Sequence, residues 1–162
     1  MADGLYEIDA LAWAEEQADL LRRLAAGERV NDAIDWPHVI EEVFDVGQAQ
    51  LIGCRSLLRQ AMIHLLKLYA FPESLSVQHW REETATFLVD AADRFTPSMR
   101  RRIDLAVEYG KALKLFNLGL DARGSTPRIP PRCPFTLDAL LSAEIEVLLV
   151  AVQQSASGDT HD

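Results

Sequence analysis

The stretch DWPHVIEEVFDVGQAQLIGCRSLLRQAMIHLLKLY, residues 35–69, sets the architecture. Through it Ile40, Phe44, Gly47, Leu51, Cys54, Leu58, Ala61, Leu65 and Leu68 recur at alternating steps of four and three. Apolar residues at that period line one face of a helix, and so long a seam packs against neighbouring helices at a shallow crossing angle. The reading is one long helix over 36–69. Leu57, Met62, Leu66 and Tyr69 widen the apolar arc in its second half, which places the centre of a bundle there. Asp35 is positioned to cap the helix, with Trp36 and Pro37 in a first turn where a missing N–H costs nothing. Gly47 and Gly53 let another helix come close, from the same chain or from a second copy.

Outward from this rod, Leu11, Ala14, Ala18, Leu21 and Ala25 make the stripe of a first helix that Gly27 stops. On the other side Phe71-Pro72-Glu73-Ser74 breaks the rod, and Ser74 or Ser76 caps a third helix with Trp80, Thr84, Phe87, Ala91 and Phe95 inward. So short a turn makes the two helices antiparallel. Thr96-Pro97-Ser98 opens a fourth helix, with Met99, Ile103, Ala106, Gly110 and Leu113 inward and Gly119 at its end. Four prolines between Asp121 and Phe135 exclude a helix or central strand, so this stretch is expected to wrap the surface as an extended strap. Thr136 caps a last helix through Leu140, Leu141, Ile145 and Leu148. The expectation is an all-α, single-domain antiparallel bundle of about five helices over 1–154, with a frayed polar tail at 155–162.

A chain of 162 residues can bury a core without metal or disulfide support. Its net charge of −9 meets a polyanion with like charge, so free nucleic acid is disfavoured as a partner. Arg100, Arg101 and Arg102 interrupt the acidity, but three consecutive positions fan around about 200° of a helix and read as a solvated helix start. No basic start precedes an apolar stretch, and no apolar run approaches the ~20 residues a membrane span needs. Cys54 on the seam and Cys133 in the strap read as reduced thiols of a cytosolic protein.

From Tyr6 to Leu141 the chain resembles the bacterial family catalogued as domain of unknown function 29. Four blocks carry the resemblance: YEIDALAWAEEQADLL (6–21), DWPHVIEEVFDVG (35–47), HLLK (64–67) and CPFTLDALL (133–141). The resemblance implies an all-helical bacterial domain and supplies no catalytic residues, because the family has no established activity. The chain departs from the family pattern at Gln48-Ala49-Gln50 and at Gln78-His79-Trp80.

Four constellations bear chemistry. His38, Glu41, Glu42 and Asp45 share one helix face and could offer ligands to a divalent metal; the simpler reading is a solvated acidic helix start. Bundles that hold two metals use paired Glu-x-x-His motifs, which this chain lacks. If the hairpin is centred near Pro72, His79, Trp80 and Glu83 come within reach of His64, and two imidazoles with a carboxylate suit an open zinc position. The simpler reading is a half-buried core-edge histidine with Trp80 as packing. Asp45 lies about 28 Å from His64 on a continuous helix, so the two cannot share a site. Arg59 to His64 resembles the R-x-x-x-x-H signature of the HEPN family of helical ribonucleases, yet the two side chains are about 140° apart on a straight helix. Cys133 has only Arg132 to activate it, and Cys133 with Phe135 reads as a plug that seats the strap.

No nucleophile, base and orienting group fall together, so the expected role is a cytosolic interaction or regulatory module whose partner is another protein. No cofactor or metal is assigned. A homo-oligomer and two enzymatic alternatives stay open: a metal-dependent hydrolase using His64, His79 and Glu83, or a ribonuclease using Arg59 and His64.

Overall fold

The computed structural model describes residues 4–120, 127–142 and 144–158. Among them are seven α-helices and no strand: α1 (Leu5–Ile8), α2 (Ala10–Ala25), α3 (Trp36–Ala70), α4 (Val77–Arg94), α5 (Leu105–Leu118), α6 (Leu137–Ser142) and α7 (Ile145–Gly158). The all-helical class and the long rod are as expected; the short α1 and α6 add to the five helices anticipated. No helix among the described residues is long and apolar enough to cross a membrane. The chain divides into two compact units, one up to Ala49 and one from Gln50.

In the first unit the Asp9 side chain accepts the Ala12 N–H and opens α2. Gly27 closes it with φ 91°, where the Gly27 and Glu28 N–H groups return to the carbonyls of Leu24 and Arg23. That is the left-handed helix stop that favours glycine. The buried line of α2 is Trp13, Gln17 and Leu20, while Leu11 of the expected stripe is exposed. The single large indole, rather than the count of small apolar residues, decides which face turns inward.

In the second unit Cys54, Leu58, Ala61, Met62, Leu65 and Leu66 of α3 pack with Leu88 and Ala91 of α4, Tyr109, Ala112 and Phe116 of α5, and Leu140, Leu148 and Val152 of α6 and α7. The fourth helix begins later than expected. Pro97–Met99 forms a single 3-10 turn, and the α-helix starts only at Leu105, where the Asp104 side chain accepts the N–H groups of Ala106 and Val107. Met99 and Ile103 are buried as anticipated, but the restart turns Ala106 and Gly110 outward and Glu108, Tyr109, Ala112 and Phe116 inward.

The described part of the strap, 127–135, is irregular; residues 121–126 lie outside the described residues. Tyr109 donates its hydroxyl to the Pro130 carbonyl at 2.7 Å, and buried Phe135 meets the Tyr109 ring edge-on. Thr136 caps α6 through the Ala139 N–H as expected. The last helix is split in two, and α7 runs on to Gly158 with Ala156 buried, into the polar stretch expected to fray. Residues 159–162 lie outside the described residues.

Candidate functional site

The hairpin between α3 and α4 brings three of the four expected residues together. His64 Nε2 lies 2.7 Å from Glu83 Oε2, and His79 Nε2 lies 3.4 Å from Glu83 Oε1. His64 is buried rather than half-buried, with its ring edge-on to Phe87 and its Nδ1 2.9 Å from the Gln60 carbonyl. Both of its nitrogens face acceptors. Trp80 lies under Lys67 at 5.7 Å and beside Phe71. No three His, Cys, Asp or Glu side chains among the described residues adopt metal-binding spacing.

Arg59 points elsewhere. Its Nη1 lies 2.9 Å from Glu108 Oε2 on α5, so Arg59 and His64 have separate partners within the chain. Cys133 keeps a raised thiol pKa, chiefly through burial, with its sulfur directed at the Phe135 carbonyl.

The acidic face is divided in the same way. His38 Nδ1 lies 2.7 Å from Asp35 Oδ2, and the Tyr6 hydroxyl donates to Glu42 Oε1 at 2.7 Å. Glu41 and Asp45 are exposed. His38 and Glu42 thus join a cluster that residue spacing along α3 did not reveal. Trp13 Nε1 donates to Asp35 Oδ2 at 3.0 Å, and the Asp35 N–H donates to Gln17 Oε1 at 2.8 Å. Tyr6 stacks on His38 with centroids 4.0 Å apart, and Trp13 meets both rings edge-on. The hydrogen bond from His38, helped by that from Trp13, holds the buried Asp35 carboxyl below its usual range, while burial opposes. The same bond raises His38. Tyr6 is pushed up to about 12, chiefly because its hydroxyl donates to Glu42. The signal for this cluster was the i, i+4, i+7 line Trp13, Gln17, Leu20, which carries a glutamine where a core stripe would carry an aliphatic.

This cluster also accounts for an overturned expectation. Its elements dock on the Asp35, His38 and Glu42 side of α3, about 160° around the helix from Ile40 and Phe44. The first half of the seam is therefore bare, with Ile40 64% and Phe44 61% exposed, and Val43 beside it is 71% exposed. With Trp36 and Gly47 they form one apolar stripe spanning about 100° of the helix surface. At Gly47 nothing lies within 4 Å of where a Cβ would stand. Glu41 and Asp45 border the stripe on its Phe44 side.

A family model described as "Domain of unknown function DUF29" matches residues 5–145. Among solved structures, an alpha-helical protein of unknown function from Rhodospirillum rubrum matches with 28% identity and a TM-score of 0.65, over 90% of this chain and 95% of that one. No curated protein matches the chain. The family match spans every residue of the Asp35 cluster and the whole bare stripe.

Proposed function

The chain belongs to the domain of unknown function DUF29 family, and from that premise we propose that it is a protein-interaction module whose docking surface is the N-terminal half of α3. The bare stripe carries the reading: a helix face with Ile40, Val43 and Phe44 each more than half exposed is a surface that a partner helix covers. Its occupant is an amphipathic helix of another protein with basic flanks. Charge selects that partner, since Glu41 and Asp45 border the stripe and the chain carries a net −9. A second copy packed antiparallel would set Glu41 and Asp45 against their own equivalents, which is repulsive. The reading carries with it a bacterial, cytosolic setting, consistent with Cys54 and Cys133 as free thiols. Joint catalysis by His64 and Arg59 is less favoured because His64 Nε2 is paired with Glu83 and Arg59 Nη1 with Glu108, so the two side chains are held by separate partners.

The test is a fluorescence-anisotropy titration with a labelled helical peptide of leucine and lysine heptads, beside its leucine–glutamate counterpart. The lysine peptide is expected to bind and the glutamate peptide not. In Ile40→Glu/Phe44→Glu the added negative charge would strengthen a purely electrostatic contact, whereas loss of the apolar seat weakens a docked helix. Weakening by about tenfold or more is the expected result. Equal or tighter binding by the variant would overturn the reading.

A further inference from the structure

Glu108 lies in the first turn of α5 with its side chain 0% exposed, and three cations converge on it. Arg55 brings Nε and Nη2 to Oε1 at 2.9 and 2.6 Å, Arg59 brings Nη1 to Oε2 at 2.9 Å, and Lys111 brings Nζ to Oε1 at 3.2 Å. One cation suffices to neutralise a buried carboxylate, and a second arginine on the other oxygen completes its hydrogen bonding. Here three positive charges face one negative, leaving a surplus of two in a chain that is otherwise strongly acidic.

The surplus is directed outward. The side chains of Arg55, Arg59 and Lys111 are 31%, 24% and 46% exposed, so each is partly in water. Each guanidinium has five N–H donors and the ammonium three, of which Glu108 takes only some. Arg59 Nε–H is buried and has no acceptor among the described residues. That donor is closed to solvent, so a ligand meets the donors on the exposed parts of the three side chains. Arginine forks held rigid by a carboxylate are preorganised for a planar or tetrahedral oxyanion, because their rotamer freedom is already lost.

We infer that Arg55, Arg59 and Lys111, positioned by Glu108, bind a phosphoryl dianion. The charge match selects this class: a phosphate monoester carries about −1.5 to −2 at neutral pH and offers three acceptor oxygens. A carboxylate brings half that charge. The inference stands on α3 and α5 beyond Gln50 and is independent of the docking stripe.

The test follows the arginine Nε–H signals by nuclear magnetic resonance while the intact chain is titrated with inorganic phosphate, with chloride holding ionic strength constant. The Arg55 and Arg59 signals are expected to move along one saturable isotherm. Lys111→Ala leaves both arginines on Glu108, and it should weaken phosphate by about tenfold, the loss of one charge-assisted hydrogen bond. A linear, unsaturating shift, an equal response to chloride, or unchanged affinity in Lys111→Ala would overturn the inference and leave the cations as a clamp between α3 and α5. Acetate binding as tightly as phosphate would overturn the dianion assignment. Phosphoserine or glycerol phosphate binding more tightly than inorganic phosphate would support it with an esterified ligand, and equal affinities would support it with the free ion.

Discussion

Asp35 does more than cap a helix. It accepts from the Trp13 indole and the His38 ring, and the His38 backbone N–H adds to the stabilisation of its charge. Its carboxyl is lowered, so its contribution to stability is present above the unfolded carboxylate value of about 3.9 and is lost as pH falls through the lower folded value. His38 is raised, so its contribution is fully present below the unfolded imidazole value of about 6.5 and is lost as pH rises through the folded value. The pair therefore stabilises most between about pH 4 and 6.5. Melting curves of the parent and His38→Gln should differ most in that window and converge above it; a pH-independent difference would contradict the pairing. Two glycines give opposite expectations. Gly27 has φ 91°, so Gly27→Ala should lower stability by about 1 kcal/mol, whereas Gly47 sits mid-helix in open space and Gly47→Ala should raise it by about 0.5–1 kcal/mol. Urea unfolding of the two variants separates these signs.

At the scale of elements, what was legible in the sequence was what periodicity encodes. The seam of α3 from Leu51 onward is buried as its spacing requires, and the Pro72 hairpin sets Glu83 beside His64. One error came from signals that compete locally, and one feature was missed because its partners are distant in sequence. Thr96-Pro97-Ser98 resembles a helix start, yet it makes only one 3-10 turn; the working cap is Asp104, and the shift of start rotates α5 so that Glu108 is buried. A glutamate inside is invisible to a hydrophobic stripe, because its partners Arg55 and Arg59 are supplied by another helix. Burial raises the Glu108 carboxyl, but the hydrogen bonds and charges of Arg55 and Lys111 outweigh it and hold the group below its usual range. The stabilisation from this ion cluster is thus present above the unfolded carboxylate value and lost as pH falls through the folded one. Glu108→Gln should cost about 3 kcal/mol at neutral pH, at the lower end for breaking a buried pair because the arginines are partly in water. Chemical denaturation checks this: a loss below about 0.5 kcal/mol, typical of a surface change, would deny the cluster a structural role.

For the molecule as a whole, the seam of α3 was legible in the sequence, but which of its turns are covered was not. Periodicity shows that a face is apolar, while the choice of covering element depends on long-range partners such as Trp13 with Asp35, whose pairing leaves Ile40, Val43 and Phe44 in water. Under the proposed docking reading, the acidic balance of the chain favours a partner with basic flanks there. The most direct measurement maps that contact: backbone amide shifts of the intact chain, recorded during titration with the leucine–lysine peptide. The account predicts saturable changes concentrated over residues 36–47 and abolished in Ile40→Glu/Phe44→Glu, a surface variant whose stability should change by no more than about 0.5 kcal/mol. Changes spread over the acidic surface, or concentrated elsewhere and retained in the variant, would contradict it.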